Sequence, residues 1–286
     1  MEVGLIGLGR SAAAVAHNLV VAGHQLTTFC PSTTGADPCA VAGAASARRV
    51  RDVCNADVVI TMLPGDASVE EVVLGEGGVA HCMPAAAIHV CMSTIGMGLS
   101  RRLAAIHEDR VQRYVAAPVF GRAGDAAKGE LYIFAGGRAD TILRCQSLFD
   151  VLGRQTIKVA HDPAEANLLQ LSTLGLVSSL VASLAEAMTL AAKGGIPKER
   201  FLQLMTQSVF ARGFHAGYGA LLAAQADELA SATVEQGRRV VTLLMDGADA
   251  VGASMPLMRL LLDELNGLTA QGFNDRPWLE VALLPD

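Results

Sequence analysis

Short apolar runs alternate with segments of helical period through the first 160 residues. The runs are Val3 to Ile6, Gln25 to Phe29, Val58 to Leu63, Ile88 to Met92, Arg113 to Val115, Leu131 to Ala135 and Thr156 to Val159. Runs of this kind between helical segments predict βαβ units and a mostly parallel sheet, an α/β fold. From Asp162 onward the period is helical throughout. Asp162 is a candidate N-cap, Pro163 suits the first helical position and Gly194 a C-terminal stop, which predicts one helix over 163–193. At about 1.5 Å per residue it is ~46 Å long, the length of a rod joining two bodies. Further helical segments follow at Lys198 to Val209, Tyr218 to Gln225, Val234 to Val251 and Pro256 to Gln271, separated by Gly or Pro. The predicted domains are 1–161 and 162–286, with 162–193 as the connecting helix.

Composition narrows the class. With 286 residues, two domains are expected. Only 17% are charged, against roughly 25% in an average domain, so polar surface expected of a monomer is missing and a homo-oligomer with an apolar interface is expected. A net charge of -6 gives no field for a phosphate backbone and excludes nucleic acid as the expected partner. The six cysteines form no CxxC pair, and no Cys/His cluster or His pair has ligand spacing, so no metal is expected. Cys54, Cys82 and Cys91 read as small buried hydrophobes, and His89 and His107, with the other histidines before His215, as structural or surface residues. The most apolar stretch, Leu168 to Ala192, is broken by Gln170, Ser/Thr and Glu186, which fits a buried helix better than a membrane span. With no signal peptide in view, a soluble cytoplasmic protein is expected.

The stretch VGLIGLGRSA carries the first chemistry. Gly7, Gly9 and Ala12 have GxGxxA spacing, directly after a strand and at the head of a helix that precedes a second strand. Gly7 permits the turn, Gly9 lets a pyrophosphate approach the backbone, and the helix N-terminus offers amide N–H groups; Leu8, Arg10 and Ser11 complete the cofactor turn. This is the fingerprint of a Rossmann dinucleotide-binding domain. A carboxylate at the end of the second strand would bind the ribose diol, but here the chain reads TTFCPSTT and the first acid is Asp37. NADP(H) is therefore favoured over NAD(H), with Ser32, Thr33 and Thr34 as hydroxyl partners for a 2'-phosphate and Arg48 or Arg51 within possible reach.

In order and spacing, GLIGLGRSAAAVAHNLVVAGHQLT, VITMLPGDASVEEVVLGEGG, HVCMSTIG, AAPVFGRAGDAAKGELYIFAGG and GFNDRPW resemble the successive blocks of the β-hydroxyacid dehydrogenase superfamily, which includes the imine reductases. The resemblance runs almost the full length. It implies a Rossmann domain, a long interdomain helix, an all-helical C-terminal domain and homodimers with active sites at the domain cleft. It further implies that Met62, Leu63 and Pro64 pass beside the cofactor ribose, that Ser93 and Thr94 lie near the nicotinamide, and that Pro118, Val119 and Gly121 form the substrate loop. Arg239, or Arg238 if the match slips by one, corresponds to a family lysine near the nicotinamide end. The departures are informative. Where the family usually reads DxPVSGG this chain reads AAPVFGR, with Ala116 for the acid, Phe120 for the serine and Arg122 for a glycine.

The family's catalytic lysine, and the asparagine four residues after it, match Gln170 and Leu174. Between Glu165 and Glu186 the long helix has no titratable side chain. An amide can donate a hydrogen bond to a carbonyl but cannot transfer a proton near neutral pH, so the lysine mechanism is absent. Asn167, Gln170 and Leu174 share a helix face at spacings of three and four. The segment FARGFHAGYG offers His215 and Tyr218 as proton sources. Two readings follow: a reductase of C=O or C=N groups in small molecules, with imine reduction as its narrower form, or a cofactor-binding homologue without dehydrogenase activity.

Overall fold

In a computed structural model of the protein, residues 1–7, 9–31, 41–207, 232–251 and 255–278 are described. The apolar runs form β1 (Glu2–Ile6), β2 (Gln25–Phe29), β4 (Val58–Thr61), β5 (Ile88–Cys91), β6 (Arg113–Ala116), β8 (Leu131–Gly137) and β9 (Gly153–Ala160). Two-residue strands β3 (Ala45–Ser46) and β7 (Val119–Phe120) join them, neither marked by a run in the sequence. Strand order is β3-β2-β1-β4-β5-β6-β8-β7, with β9 pairing β8.

The strands from β3 to β6 are parallel. β8 runs antiparallel to β6 and β7. Burial on both faces explains why the runs lack polar alternation: every residue of β4 and β5 is buried. Val58, Ile60, Ile88 and Val90 enter one core layer, while Val59, Ile6 and Cys91 enter the other. Cys54, Cys91 and Cys145 are buried free thiols and Cys82 is half-buried. Chain order reverses at β1, with β2 on one side and β4 on the other, so a crevice at the C-terminal ends of these strands is the topological place for a ligand.

Pro163–Lys193 is one helix, α8. Asp162 caps it, its Oδ1 accepting the Ala164 N–H at 3.0 Å while its other oxygen pairs with Arg101 at 2.9 Å. Its first turn lies close on β8. A Cβ on Gly136 would stand 2.9 Å from both Ala166 Cβ and Pro163 O, so any side chain there would lift the helix off the sheet. That contact sets the height at which Asn167 and Gln170 stand over the β7–β8 pair.

Two compact units divide after Gln170, Met1–Gln170 and Leu171–Asp286, and α8 begins in the first and continues in the second. The second unit is helical among its described residues, with Lys198–Gln207, Val234–Val251 and Pro256–Ala270 after α8. Its core gathers Val234, Val241, Leu244, Met245, Met258, Leu261, Leu265 and Trp278. The GFNDRPW block is structural here: Thr233 bridges Pro277, the Trp278 N–H donates to Ala232 O at 3.1 Å, and the indole faces Gly237. The predicted helix at Tyr218 to Gln225 lies outside the described residues. No helix among the described residues is long and apolar enough to cross a membrane.

Candidate active site

The C-terminal ends of β1, β4, β5 and β6 bring together most of the residues predicted in the first unit. Gly7 follows β1, and a Cβ there would overlap the carbonyl oxygen of Met62, the residue after β4. Glycine at this position is thus dictated by the protein itself. Gly9 differs. Its backbone is extended (φ −70°, ψ 163°), which any residue adopts, and a Cβ built on it meets nothing within 4 Å. Among the described residues no atom would meet a Cβ there, which leaves room for a pyrophosphate to approach the backbone. Gly9 is also the N-cap of the Arg10–Val21 helix, which has no side-chain cap and no acid in its first turn, so amide N–H groups and the positive dipole end are left for an anion. Ser11 is half-buried and Ala12 buried. These features fit a dinucleotide. Leu8, Ser32 and Thr33 lie outside the described residues, as do His215 and Tyr218.

Neighbouring loops are tied to one another by backbone-directed bonds. Met62 N–H donates to Ile6 O at 2.8 Å, and Leu63 N–H donates to Ser93 Oγ at 2.8 Å. Ser93 Oγ in turn donates to Thr61 O at 3.4 Å. Ser93 is 2% exposed and its hydroxyl holds the backbone of the loop that begins at Met62 and Leu63.

Gln170 reaches from α8 to the next two strand ends. Its Nε2 donates to Thr94 Oγ1 at 3.0 Å and to Val119 O at 2.8 Å. An amide nitrogen has two hydrogens, and in this structure both are directed to protein acceptors. Gln170 Oε1, with both Nδ2 and Oδ1 of Asn167, is buried and has no partner. Phe120 packs at the edge of the core and Arg122 heads the short Ala123–Lys128 helix, its N–H donating to Asp125 Oδ2 at 2.7 Å. Gly121 is exposed. Leu174 and Arg239 belong to the second unit, where both are half-buried.

One polar system beneath this edge was read in sequence only as separate histidines. Gln112 Nε2 donates to Ala80 O at 3.2 Å and Met83 O at 2.7 Å, so its Oε1 must be the acceptor toward His107 Nδ1 at 2.7 Å. His107 Nε2 then accepts from His89 Nδ1 at 2.9 Å, and His89 Nε2 accepts from Thr61 Oγ1 at 2.9 Å. Both rings are neutral Nδ1–H tautomers, an assignment forced by the two carbonyl groups at the end of the chain. Burial pushes His107 down to about 4 and His89 well below its ordinary value, the neighbouring ring adding to the second shift. No described group of His, Cys, Asp and Glu residues can hold a metal.

Comparison with known proteins decides the family. The NAD binding domain of 6-phosphogluconate dehydrogenase matches residues 2–161. The chain belongs to this family. Across its length it is 32% identical to the uncharacterized oxidoreductase YfjR of Bacillus subtilis, over 97% of each chain. It is 30% identical to the NAD-dependent L-serine dehydrogenase of Pseudomonas aeruginosa, over 100% of this chain and 98% of the relative. Among solved structures, the 3-hydroxyisobutyrate dehydrogenase of Salmonella typhimurium superposes with a TM-score of 0.84 at 23% identity, covering 98% of this chain and 99% of the other. The protein is thus an oxidoreductase of the β-hydroxyacid dehydrogenase family with a nicotinamide-binding domain.

Proposed function

We propose that the protein is an NADPH-preferring reductase acting on a C=O or C=N group of a small molecule. The observation that carries the reading is the open edge of the first unit: a Cβ on Gly9 would meet nothing within 4 Å among the described residues, and the amides of Asn167 and Gln170 keep unpartnered atoms on the α8 face. When bound, the nicotinamide supplies the hydride. Gly7, Gly9, Ala12 and the helix N-terminus behind them would hold its pyrophosphate, and Met62 to Pro64 would flank the ribose. Preference for NADPH rests on the missing acid after β2 and on Arg48 and Arg51, which are exposed just beyond β3 while Arg49 pairs with Asp52.

In this reading residues 1–161 bind cofactor, and 162–286 serve substrate binding and form a cytoplasmic homodimer. Exposed Leu169 and Leu176, seven residues apart on α8, together with the low charged fraction, support the dimer. Phe120 makes the pocket less polar than one shaped for a simple hydroxy acid. Arg122 is an anchor for an anionic group if the substrate carries one. Reduction of a carbonyl needs a proton, for which His215 and Tyr218 are the candidates. Turnover in the double variant Tyr218→Phe with His215→Ala tests them: a fall in carbonyl reduction is expected, and unchanged turnover removes both from the mechanism.

A second reading, a nucleotide-binding homologue without dehydrogenase activity, is favoured by the loss of both family positions at Gln170 and Leu174. Gln170→Lys with Leu174→Asn separates the two. Hydroxyacid oxidation gained by that double variant supports a degraded site. Continued silence on hydroxyacids, beside wild-type turnover of a carbonyl or imine, supports a pocket built for another substrate.

A further inference from the structure

In a doubly wound sheet the adenosine ribose lies at the end of β2 and the pyrophosphate at the turn after β1. The rest of a dinucleotide therefore extends past the reversal, over the ends of β4 and β5. Two loops meet there, 62–65 after β4 and 92–96 after β5. They are joined at both ends. Near the strands the Leu63 N–H donates to Ser93 Oγ at 2.8 Å, and further out the Gly96 N–H donates to Asp66 Oδ1 at 3.0 Å. Between the two joins stands Thr94, whose Oγ1 receives Gln170 Nε2 at 3.0 Å.

Asp66 opens the Asp66–Leu74 helix, where an acid suits the positive dipole end. That alone would explain a carboxylate in the first turn. It does not explain the reach: the bonded amide lies 30 residues on, at the N-cap of the Met97–Asp109 helix, which has no side-chain cap and no acid of its own in its first turn. Asp66 and Gly96 are both half-buried, so this charge-assisted bond is only partly screened. The other ties of the Met97–Asp109 helix, Arg102 with Glu70 and Arg101 with Asp162, are exposed pairs and contribute little. The glycine turn is fixed separately, with the Gly7 N–H donating to Phe29 O at 3.2 Å.

We propose that Asp66 is a positioning residue for the nicotinamide half of the cofactor: through the Gly96 N–H it holds the 92–96 loop, and Thr94 within it, at the height on which that half rests. The inference rests on the reading of the chain as a nicotinamide-dependent reductase. With the tie cut, the loop keeps its Ser93 bond at the base and is released at Gly96, so the surface beyond β4 and β5 loosens. The turn after β1, held by backbone bonds of its own, does not. Asp66 thus acts on one half of the nucleotide and leaves the other half alone.

The test is calorimetric titration of the whole protein with NADPH and with 2'-phospho-ADP-ribose, the same nucleotide without its nicotinamide; NADH and ADP-ribose replace them if wild type prefers NADH. Asp66→Ala is expected to weaken NADPH about fivefold, within the scale of one hydrogen bond to a charged group, and to leave 2'-phospho-ADP-ribose within about twofold of wild type. Asp66→Asn, whose amide oxygen accepts the same N–H, should restore NADPH binding. If Asp66→Ala does not fold, Gly96→Pro deletes the donor at a φ of −70°, which proline adopts, and the same split between the ligands is expected. A purely structural Asp66 would lower the melting temperature and affect both ligands alike. That result, unchanged NADPH binding in folded Asp66→Ala, or an Asp66→Asn no better than Asp66→Ala, overturns the proposal and leaves the nucleotide reading intact. Failure of wild type to bind either ligand overturns both.

Discussion

Two buried polar systems lie in the first unit, and they are finished to different degrees. In the chain from Thr61 through His89 and His107 to Gln112, every link pairs one donor with one acceptor and the direction of each bond is forced. In the pair Asn167 and Gln170, three atoms are left over. An unpartnered buried group costs about 1–3 kcal/mol, so the first arrangement is what folding alone requires and the second is tolerated for something folding does not provide. Gly7 and Gly9 repeat the contrast in the backbone: a Cβ on one would overlap the Met62 carbonyl, and a Cβ on the other would meet nothing within 4 Å among the described residues.

The sharpest way to break the comparison is to damage the finished system. His89→Leu strands the Thr61 hydroxyl and His107 Nε2 in the core and is expected to cost about 3 kcal/mol, read as a lower urea midpoint at unchanged slope. An equal loss on treating Asn167 or Gln170 in the same way would erase the distinction.

Acid attacks the same chain. His107 titrates at 6.5 when unfolded and near 4 when buried, and burial with the neighbouring ring lowers His89 in the same direction, so below 6.5 the unfolded state binds protons that the native state refuses. Stability should be full above pH 6.5 and fall as pH drops toward 4, by up to ~3 kcal/mol for His107 alone. Asp140, held low by its hydrogen bonds from Arg138 and Arg113, acts with the same sign only below its ordinary value of 3.8. Melting curves across this range check the slope, and a flat profile between pH 6.5 and 4 would contradict neutral buried rings.

Smaller effects separate the glycines. Gly7→Ala forces a shift against the Met62 carbonyl and should lose about 2 kcal/mol of stability along with nucleotide binding. Gly9→Ala should melt within about 0.5 kcal/mol of wild type, as substitutions without a steric conflict do, and still lose nucleotide affinity by titration. A small change in stability is also expected for Gln170→Met, about 1 kcal/mol or less, because the two bonds it removes are offset by the loss of the unpartnered oxygen. A loss as large as that of His89→Leu would mean that Gln170 is part of the scaffold.

Much of this architecture was legible in the chain. Alternating runs gave the parallel strands, and the Asp162-Pro163 start with the Gly194 stop gave α8 over the residues it occupies. Local pattern could not give the two-residue strands β3 and β7, which exist through pairing with β2 and β8, nor the antiparallel direction of β8. The glycine turn was readable because its chemistry is local. The role of Gln170 was not, because it depends on Val119, 51 residues away, and the direction of an amide is set by its partner rather than by its position in a helix. His89 and His107 read correctly as structural, but their shared chain with Gln112 is likewise a product of folding.

The central claim is that the unfinished edge receives a nicotinamide nucleotide. Fluorescence titration of the purified protein with NADPH and, separately, NADH tests it most directly. Saturable binding, clearly tighter for NADPH, is the predicted result. Failure of both nucleotides to bind would contradict it, leaving the glycine turn as inherited architecture and the open amides without the neighbour that gives them a purpose.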